Sequence, residues 1–129
     1  MGNPTVGALE ARLTALEDGA MCVALSSGTS AVMYSLINIM SQGDNFVTAN
    51  QLYGGTYTMF DNILPEYGIN SKKVDINDLS AVEEAIDEKT RAIYCETITN
   101  PGLVVADISA LADIAHSKGI PLIVDATFT

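Results

Sequence analysis

Residues 19–43 read GAMCVALSSGTSAVMYSLINIMSQG and contain no charged side chain. The stretch is long enough to cross a bilayer, which takes about 20 apolar residues. Its middle is Ser26-Ser27-Gly28-Thr29-Ser30, and five small or polar residues at the bilayer midplane would leave polar groups without partners. The stretch is therefore read as strand, loop and helix: Met21-Cys22-Val23-Ala24-Leu25 as a strand covered on both faces, then the serine-glycine loop. A helix comes next, from Thr29 to Met40, apolar nearly all round (Ala31, Val32, Met33, Leu36, Ile37, Ile39, Met40) and stopped by Gln42-Gly43-Asp44.

The same alternation extends in both directions. Upstream, Asn3 is placed to N-cap a helix with Pro4 at its first position, Val6, Leu9, Leu13 and Leu16 on one face, and Asp18-Gly19 at its end. Downstream come a strand at Asn45 to Thr48, a loop through Tyr53-Gly54-Gly55, and a helix from about Thr56 to Leu64 closed by Pro65 and Gly68. Ile69 to Val74 reads as a strand. Leu79, Val82, Ala85 and Ile86 mark an acidic amphipathic helix, and Arg91 to Cys95 a further strand with Ile93 inward. Asp107 caps a last helix from Ile108 to Ser117, which Gly119 ends before the strand Pro121-Leu122-Ile123-Val124-Asp125. Strands alternating with helices predict an α/β fold, a mostly parallel sheet flanked by helices. The chain stops at Thr129, four residues after a core strand, an ending expected of a truncated domain.

At 129 residues the chain has the size of one domain. A net charge of −10 offers no cationic surface, which speaks against nucleic acid and against an anionic membrane as partners. With 48% hydrophobic residues it is far from the composition of disorder. Cys22 and Cys95 stand in no metal-spacing motif and are expected as reduced thiols in core strands. The N-terminal Met-Gly-Asn-Pro lacks a basic region followed by an apolar one, so no secretory signal is read and a cytoplasmic setting is expected.

In an open parallel sheet, ligands bind beyond the carboxyl ends of the strands. Five segments fall there: Ser26 to Ser30, Tyr53-Gly54-Gly55-Thr56, Glu96, Asn100 and Asp125. The Ser26 to Ser30 loop opens a helix, so Gly28 lets the backbone approach closely and the free amides of Thr29 and Ser30 suit an anion such as phosphate, worth about 0.3 to 2 kcal/mol from the helix dipole. It lacks the Walker lysine and the dinucleotide glycine spacing, and plain helix capping is the alternative. Tyr53 is either a ring awaiting a ligand or a loop anchor. Glu96 and Asn100 bracket a turn in which loop hydrogen bonding would also explain them. Asp125 comes after four apolar strand residues, so its carboxylate needs a cation or several donors; capping a following helix is the simpler role. His116, in the last turn of a helix, is read as solvated, and so are Glu83, Glu84, Asp87 and Glu88. By themselves, these residues leave open a non-catalytic phosphate- or nucleotide-binding module.

In order and spacing, Asn3-Pro4-Thr5, Ser26-Ser27-Gly28, Leu52-Tyr53-Gly54-Gly55-Thr56, Glu96 with Asn100-Pro101, and Asp125-Ala126-Thr127-Phe128 resemble the pyridoxal phosphate (PLP)-dependent enzymes of Cys/Met metabolism. Through Gln51 to Tyr57 and Asn100 to Leu103 the chain looks most like their O-acetylhomoserine sulfhydrylases, ahead of cystathionine γ-synthases and methionine γ-lyases. The resemblance implies the large domain of an aspartate aminotransferase-like, fold type I transferase. It implies PLP as cofactor, a small amino-acid substrate whose acetate is replaced by a sulfur nucleophile, and a homo-oligomer, a tetramer in the full-length family. Ser27, Gly28 and Thr29 would then hold the cofactor phosphate, Tyr53 would stack on the ring, and Asp125 would pair with the ring nitrogen. Glu96 and Asn100 would support the ring hydroxyl side, with Thr127 near the ring. Ala126 departs from the family, which usually carries Asn there. The Schiff-base lysine and the C-terminal domain lie downstream in the family, so residues 1–129 are expected to be a partial cofactor domain, inert alone. None of Lys72, Lys73, Lys89 and Lys118 is placed to substitute.

Overall fold

The computed structural model describes residues 3–129, which fall into two compact units, one ending at Ala31 and one running from Val32 to Thr129. The first unit is built on helix α1 (Pro4–Leu16). Asn3 caps it as expected, its side chain accepting from the amides of Thr5 at 3.0 Å and Val6 at 3.4 Å. Asp18, rather than Gly19, takes the left-handed conformation that ends it, with φ 49°. Short polar side chains tolerate that region better than other non-glycine residues do.

Met21 to Leu25 form no strand. The segment runs on without a ladder partner among the described residues, fastened to α1 by the Ala24 amide donating to the Glu10 carboxylate at 2.8 Å. Met21 is 75% exposed and Val23 63%, while Cys22 and Ala24 are half-buried, so the apolar run that reads as a strand covered on both faces has one side open to solvent. Burial on two faces is a property of neighbouring chain, which a run of apolar residues cannot supply for itself. Cys22 is accordingly half-buried in this segment instead of filling a core strand, whereas Cys95 is fully buried in one; both are free thiols. Helix α2 (Gly28–Ile37) begins in the first unit and continues into the second. It is shorter than the sequence suggests, and of its residues Leu36 alone is fully buried.

The second unit contains the sheet. Its strands are β1 (Asn45–Ala49), β2 (Asn70–Val74), β3 (Thr90–Glu96) and β4 (Leu122–Asp125), all parallel in the order β2-β1-β3-β4. The helices are α3 (Gly54–Thr58), α4 (Leu79–Ala85) and α5 (Ile108–Ser117), α5 having the bounds and the Asp107 cap that the sequence predicts. After α3 the coil widens into a π turn (Met59–Ile63) and tightens into a 3₁₀ turn (Leu64–Tyr67). Pro65 therefore does not stop the helix. The Leu64 amide reaches back to Met59, and the missing N–H of Pro65 falls where the bonding pattern changes, so no donor is wasted. Gly68 ends the run with φ 74°, and a Cβ there would lie 2.5 Å from Gln42 Cγ.

Parallel crossovers are right-handed. From β1 the chain steps outward to β2, and from β3 it steps the other way to β4, so α3 lies over one face and α5 over the opposite one, where it packs with α4. On the α3 face Phe60 sits edge-on between Phe46 and Tyr94, with ring centroids 4.7 and 5.0 Å away. The central strands β1 and β3 are buried, apart from half-buried Arg91, while the outer strands are half-buried, apart from exposed Asn70. At the amino ends, Asn45 Nδ2 donates to Asp87 at 3.0 Å and Thr90 Oγ1 donates to Asn45 at 2.6 Å, which ties β1 to β3 where their register shifts.

Lys73, one residue from the end of β2, pairs with Asp61 and lies 4.1 Å from the centroid of the Tyr57 ring. The bonded ammonium holds the Asp61 carboxyl below its ordinary 3.8, against the opposing effect of burial. A lowered folded value means that the unfolded state binds more protons near pH 4, so this contribution is present above that pH and lost as pH falls. Asp61→Asn should lower the unfolding free energy by up to about 1 kcal/mol at pH 7. The difference from wild type should close below about pH 4 in urea titrations run at several pH values.

Candidate active site

The chain leaving β1 and the chain leaving β3 turn to opposite faces of the sheet, which opens a crevice between their carboxyl ends, the place where such folds bind ligands. Glu96, the last residue of β3 and only 5% exposed, stands in that crevice. One of its carboxylate oxygens accepts the Tyr53 amide from the loop after β1 at 2.8 Å, and the other accepts the Asn100 amide from the loop after β3 at 3.2 Å. Burial pushes the Glu96 carboxyl up from its ordinary value, the two amides oppose that, and the nearby Asp125 charge adds to it.

Tyr53 is 54% exposed, and its ring lies over the Gly55 backbone, where a Cβ would come within 2.7 Å of it. The Asn100 side-chain amide is bonded to no described residue and is half-buried. Behind it the loop is held by Thr99, which is 1% exposed and whose hydroxyl accepts the Val104 amide at 3.0 Å. Leu103 in this loop adopts φ 53°, a region that side chains other than glycine rarely occupy.

Asp125 ends β4 directly beside Glu96 in register. Its half-buried carboxylate finds several donors, as burial of an acid requires: the Tyr94 hydroxyl at 3.2 Å on one oxygen, and on the other the Thr127 amide at 3.0 Å with the Thr127 hydroxyl. Tyr94 is fully buried, and its phenol is pushed far above the ordinary range by burial first and then by the Asp125 and Glu96 charges, so it stays a proton donor. The Cys95 thiol is pushed up to about 11 by burial and by Glu96, which leaves it inert as a nucleophile.

The second unit thus brings together Tyr53, Glu96, Asn100, Asp125 and Thr127 at one edge of the sheet. In the other unit, Ser27 caps the start of α2 by accepting the Ser30 amide at 3.1 Å, so that amide is taken up locally and is not free for an anion as the sequence suggests. The amides of Gly28 and Thr29 have no such partner among the described residues, and the space a side chain at Gly28 would take is open. Tyr94 is the member that sequence reasoning does not find. Period-two alternation would have exposed one of Ile93 and Tyr94, but a central parallel strand buries both, so no local signal marks the tyrosine.

These features define an α/β domain with a candidate ligand crevice at the carboxyl edge of a parallel sheet, carrying two acids, Glu96 bonded by two loop amides and Asp125 by Tyr94 and Thr127. The profile of the family described as Cys/Met metabolism PLP-dependent enzyme matches residues 1–129, and the chain belongs to this family. It is 46% identical over 128 residues to the homocysteine synthase of Schizosaccharomyces pombe, covering 99% of this chain and 30% of that protein. A solved structure of O-acetylhomoserine sulfhydrylase from Wolinella succinogenes superposes with a TM-score of 0.95 at 45% identity, over 98% of this chain and 36% of that one. A Campylobacter jejuni protein described as an O-acetylhomoserine (thiol)-lyase, solved with N'-pyridoxyl-lysine-5'-monophosphate, gives 0.93 at 41% identity, over 97% and 31%. The chain spans about 30% of the length of the curated relatives it matches. The α/β fold read from the sequence is the one these PLP-dependent enzymes share. No described helix is long and apolar enough to cross a membrane.

Tyr94→Phe keeps the ring between Phe46 and Phe60 and deletes one donor to Asp125. Urea unfolding should show a loss of about 0.5–1.5 kcal/mol, the worth of one hydrogen bond. A loss near the 3–5 kcal/mol of a truncated aromatic would contradict this account of the hydroxyl.

Proposed function

We propose that this chain is the central part of the cofactor-binding domain of a PLP-dependent enzyme of sulfur amino-acid metabolism. In the whole protein the activity would be that of an aminocarboxypropyltransferase, replacing the acetate of O-acetylhomoserine by a sulfur nucleophile. One observation carries the reading: a half-buried carboxylate, Asp125, held by Tyr94 and Thr127, stands beside the crevice where Glu96 fixes the loops of Tyr53 and Asn100, in a chain that matches the family from end to end.

The donor set suits the cofactor. Asp125 would accept a hydrogen bond from the protonated ring nitrogen, and Tyr94 and Thr127 keep it oriented for that purpose. Tyr53 would lie against the ring, with Gly55 beneath it leaving room for the phenol to settle. The free side-chain amide of Asn100 would donate to the ring hydroxyl, with Thr127 near the ring. In the first unit, taken by itself, the resemblance assigns Ser27, Gly28 and Thr29 to the phosphate, the Gly28 and Thr29 amides having no partner among the described residues. When bound, PLP supplies an electron sink for negative charge developing on an amino-acid substrate.

The chain's own lysines do not fit the role of attachment point. Lys72 is paired with Asp87 at 2.6 Å, Lys118 with Glu83 at 2.8 Å, and Lys73 with Asp61. Each of these three amines is engaged by a carboxylate, and Lys89 immediately precedes β3, at the amino end of the sheet and away from the crevice. We therefore assign this portion a binding role without turnover of its own, within a homo-oligomeric cytoplasmic enzyme.

Calorimetry and absorbance titration with PLP should show saturable binding to the 129-residue chain, and inorganic phosphate should weaken it. Asp125→Asn should lower affinity by about tenfold or more, the equivalent of one charge-assisted hydrogen bond. Preference for a nucleotide over PLP, or turnover of O-acetylhomoserine with sulfide by this chain, would overturn the assignment.

A further inference from the structure

Glu96 is a buried acid whose two oxygens serve two different loops, and the family resemblance places it beside the cofactor's ring hydroxyl. The geometry gives it other work. Both oxygens are already engaged, at 2.8 Å by the amide of Tyr53 and at 3.2 Å by the amide of Asn100. Tyr53 immediately precedes α3 and has no side-chain cap of its own. Tyr53 is 54% exposed, and the side-chain amide of Asn100 has no described partner, so no side-chain hydrogen bond of either residue fixes its loop. The backbone positions decide where both groups are presented, and one carboxylate sets both.

We infer that Glu96 is a positioning residue: it latches the loop after β1 to the loop after β3, so that Tyr53 and Asn100 are presented to a ligand as one rigid pair, and it does not itself touch that ligand. The inference rests on the role proposed above for those two residues. It also explains the residue type. Two amide donors need two acceptor oxygens pointing apart. Glutamine offers one acceptor and one opposing donor, and aspartate is a methylene short of reaching across.

The test is residue-resolved amide hydrogen exchange by NMR on the 129-residue chain as wild type, Glu96→Gln and Glu96→Asp, paired with PLP titration of each. In wild type the Tyr53 and Asn100 amides should exchange far more slowly than free loop amides. In each variant at least one of them should exchange tenfold or more faster, while Val47 and Ile93 in the sheet stay as slow as before. A purely structural role would instead speed all of them together. PLP affinity should fall at least tenfold in step. The latch is overturned if the two amides already exchange at free-loop rates in wild type, a result that does not depend on either variant folding. It is also overturned if they stay protected in both variants. If the amides respond while the wild-type chain takes up no PLP, the latch stands and the proposed function fails.

Discussion

Much of this molecule is set by the divergence of two neighbouring strands. β1 and β3 lie side by side at the centre of the sheet, and the segments that leave their carboxyl ends turn toward different faces. Right-handed crossovers make that separation unavoidable once β2 and β4 sit on opposite outer edges. The result is a crevice at the carboxyl ends of the two strands. An acid placed there must be satisfied by loop amides, and Glu96 is satisfied by one from each side of the gap. The charge that makes burial costly is thereby what ties together the two loops that topology drives apart.

The sheet is fixed at its other end by a different device. Asn45, Asp87 and Thr90 form a closed set of hydrogen bonds at the amino ends of β1 and β3, where the register slips by one residue, and Lys72 of β2 joins through Asp87. Bonded to that ammonium and to these amides, the Asp87 carboxyl is held well below the usual range. Between the two ends, Phe46, Phe60 and Tyr94 pack edge to face and continue the α3 side of the core up to the Tyr94 hydroxyl. Tyr94 therefore belongs to both regions: its ring is core and its oxygen is site.

Where local chemistry decides an element, the sequence is legible. Asn3-Pro4 marks the start of α1, and Asp107 with Gly119 brackets α5, because a cap is a contact between residues two or three apart. Where the deciding contact is distant, it is not. Met21 to Leu25 has the composition of a buried strand, yet strand formation needs a neighbouring backbone, and composition carries no information on whether one is present. The π and 3₁₀ turns around Pro65 are equally hidden, since proline forbids one hydrogen bond without dictating which irregular pattern will absorb the loss. The site divides in the same manner. Asp125 and Glu96 stand out as acids after apolar strands, and Tyr53 as an aromatic among glycines, whereas Tyr94 is an ordinary strand tyrosine until the position of Asp125 is known. The acidity of Glu96 marks it in the sequence, but that its oxygens serve the backbone depends on two loops meeting, which no spacing in the chain encodes.

Asp125 closes β4, an outer strand among the described residues. A carboxylate in the middle of β3 would be enclosed by neighbours on both sides and would need its whole charge met by protein donors. At the end of β4 it is half-buried: one oxygen is taken by the Thr127 amide and hydroxyl, the other holds only the long contact to Tyr94, and a carboxylate oxygen has more than one lone pair to offer. Asp125 is thus partly open to solvent at the crevice, beside a residue, Glu96, that is only 5% exposed and turns each oxygen to a loop amide. Two acids adjacent in register are in this way given opposite duties, one bonding inward to hold the loops and the other kept partly free to receive a donor from outside. The difference arises from which loops fold over each carboxylate, since both close a strand of the same sheet at the same level.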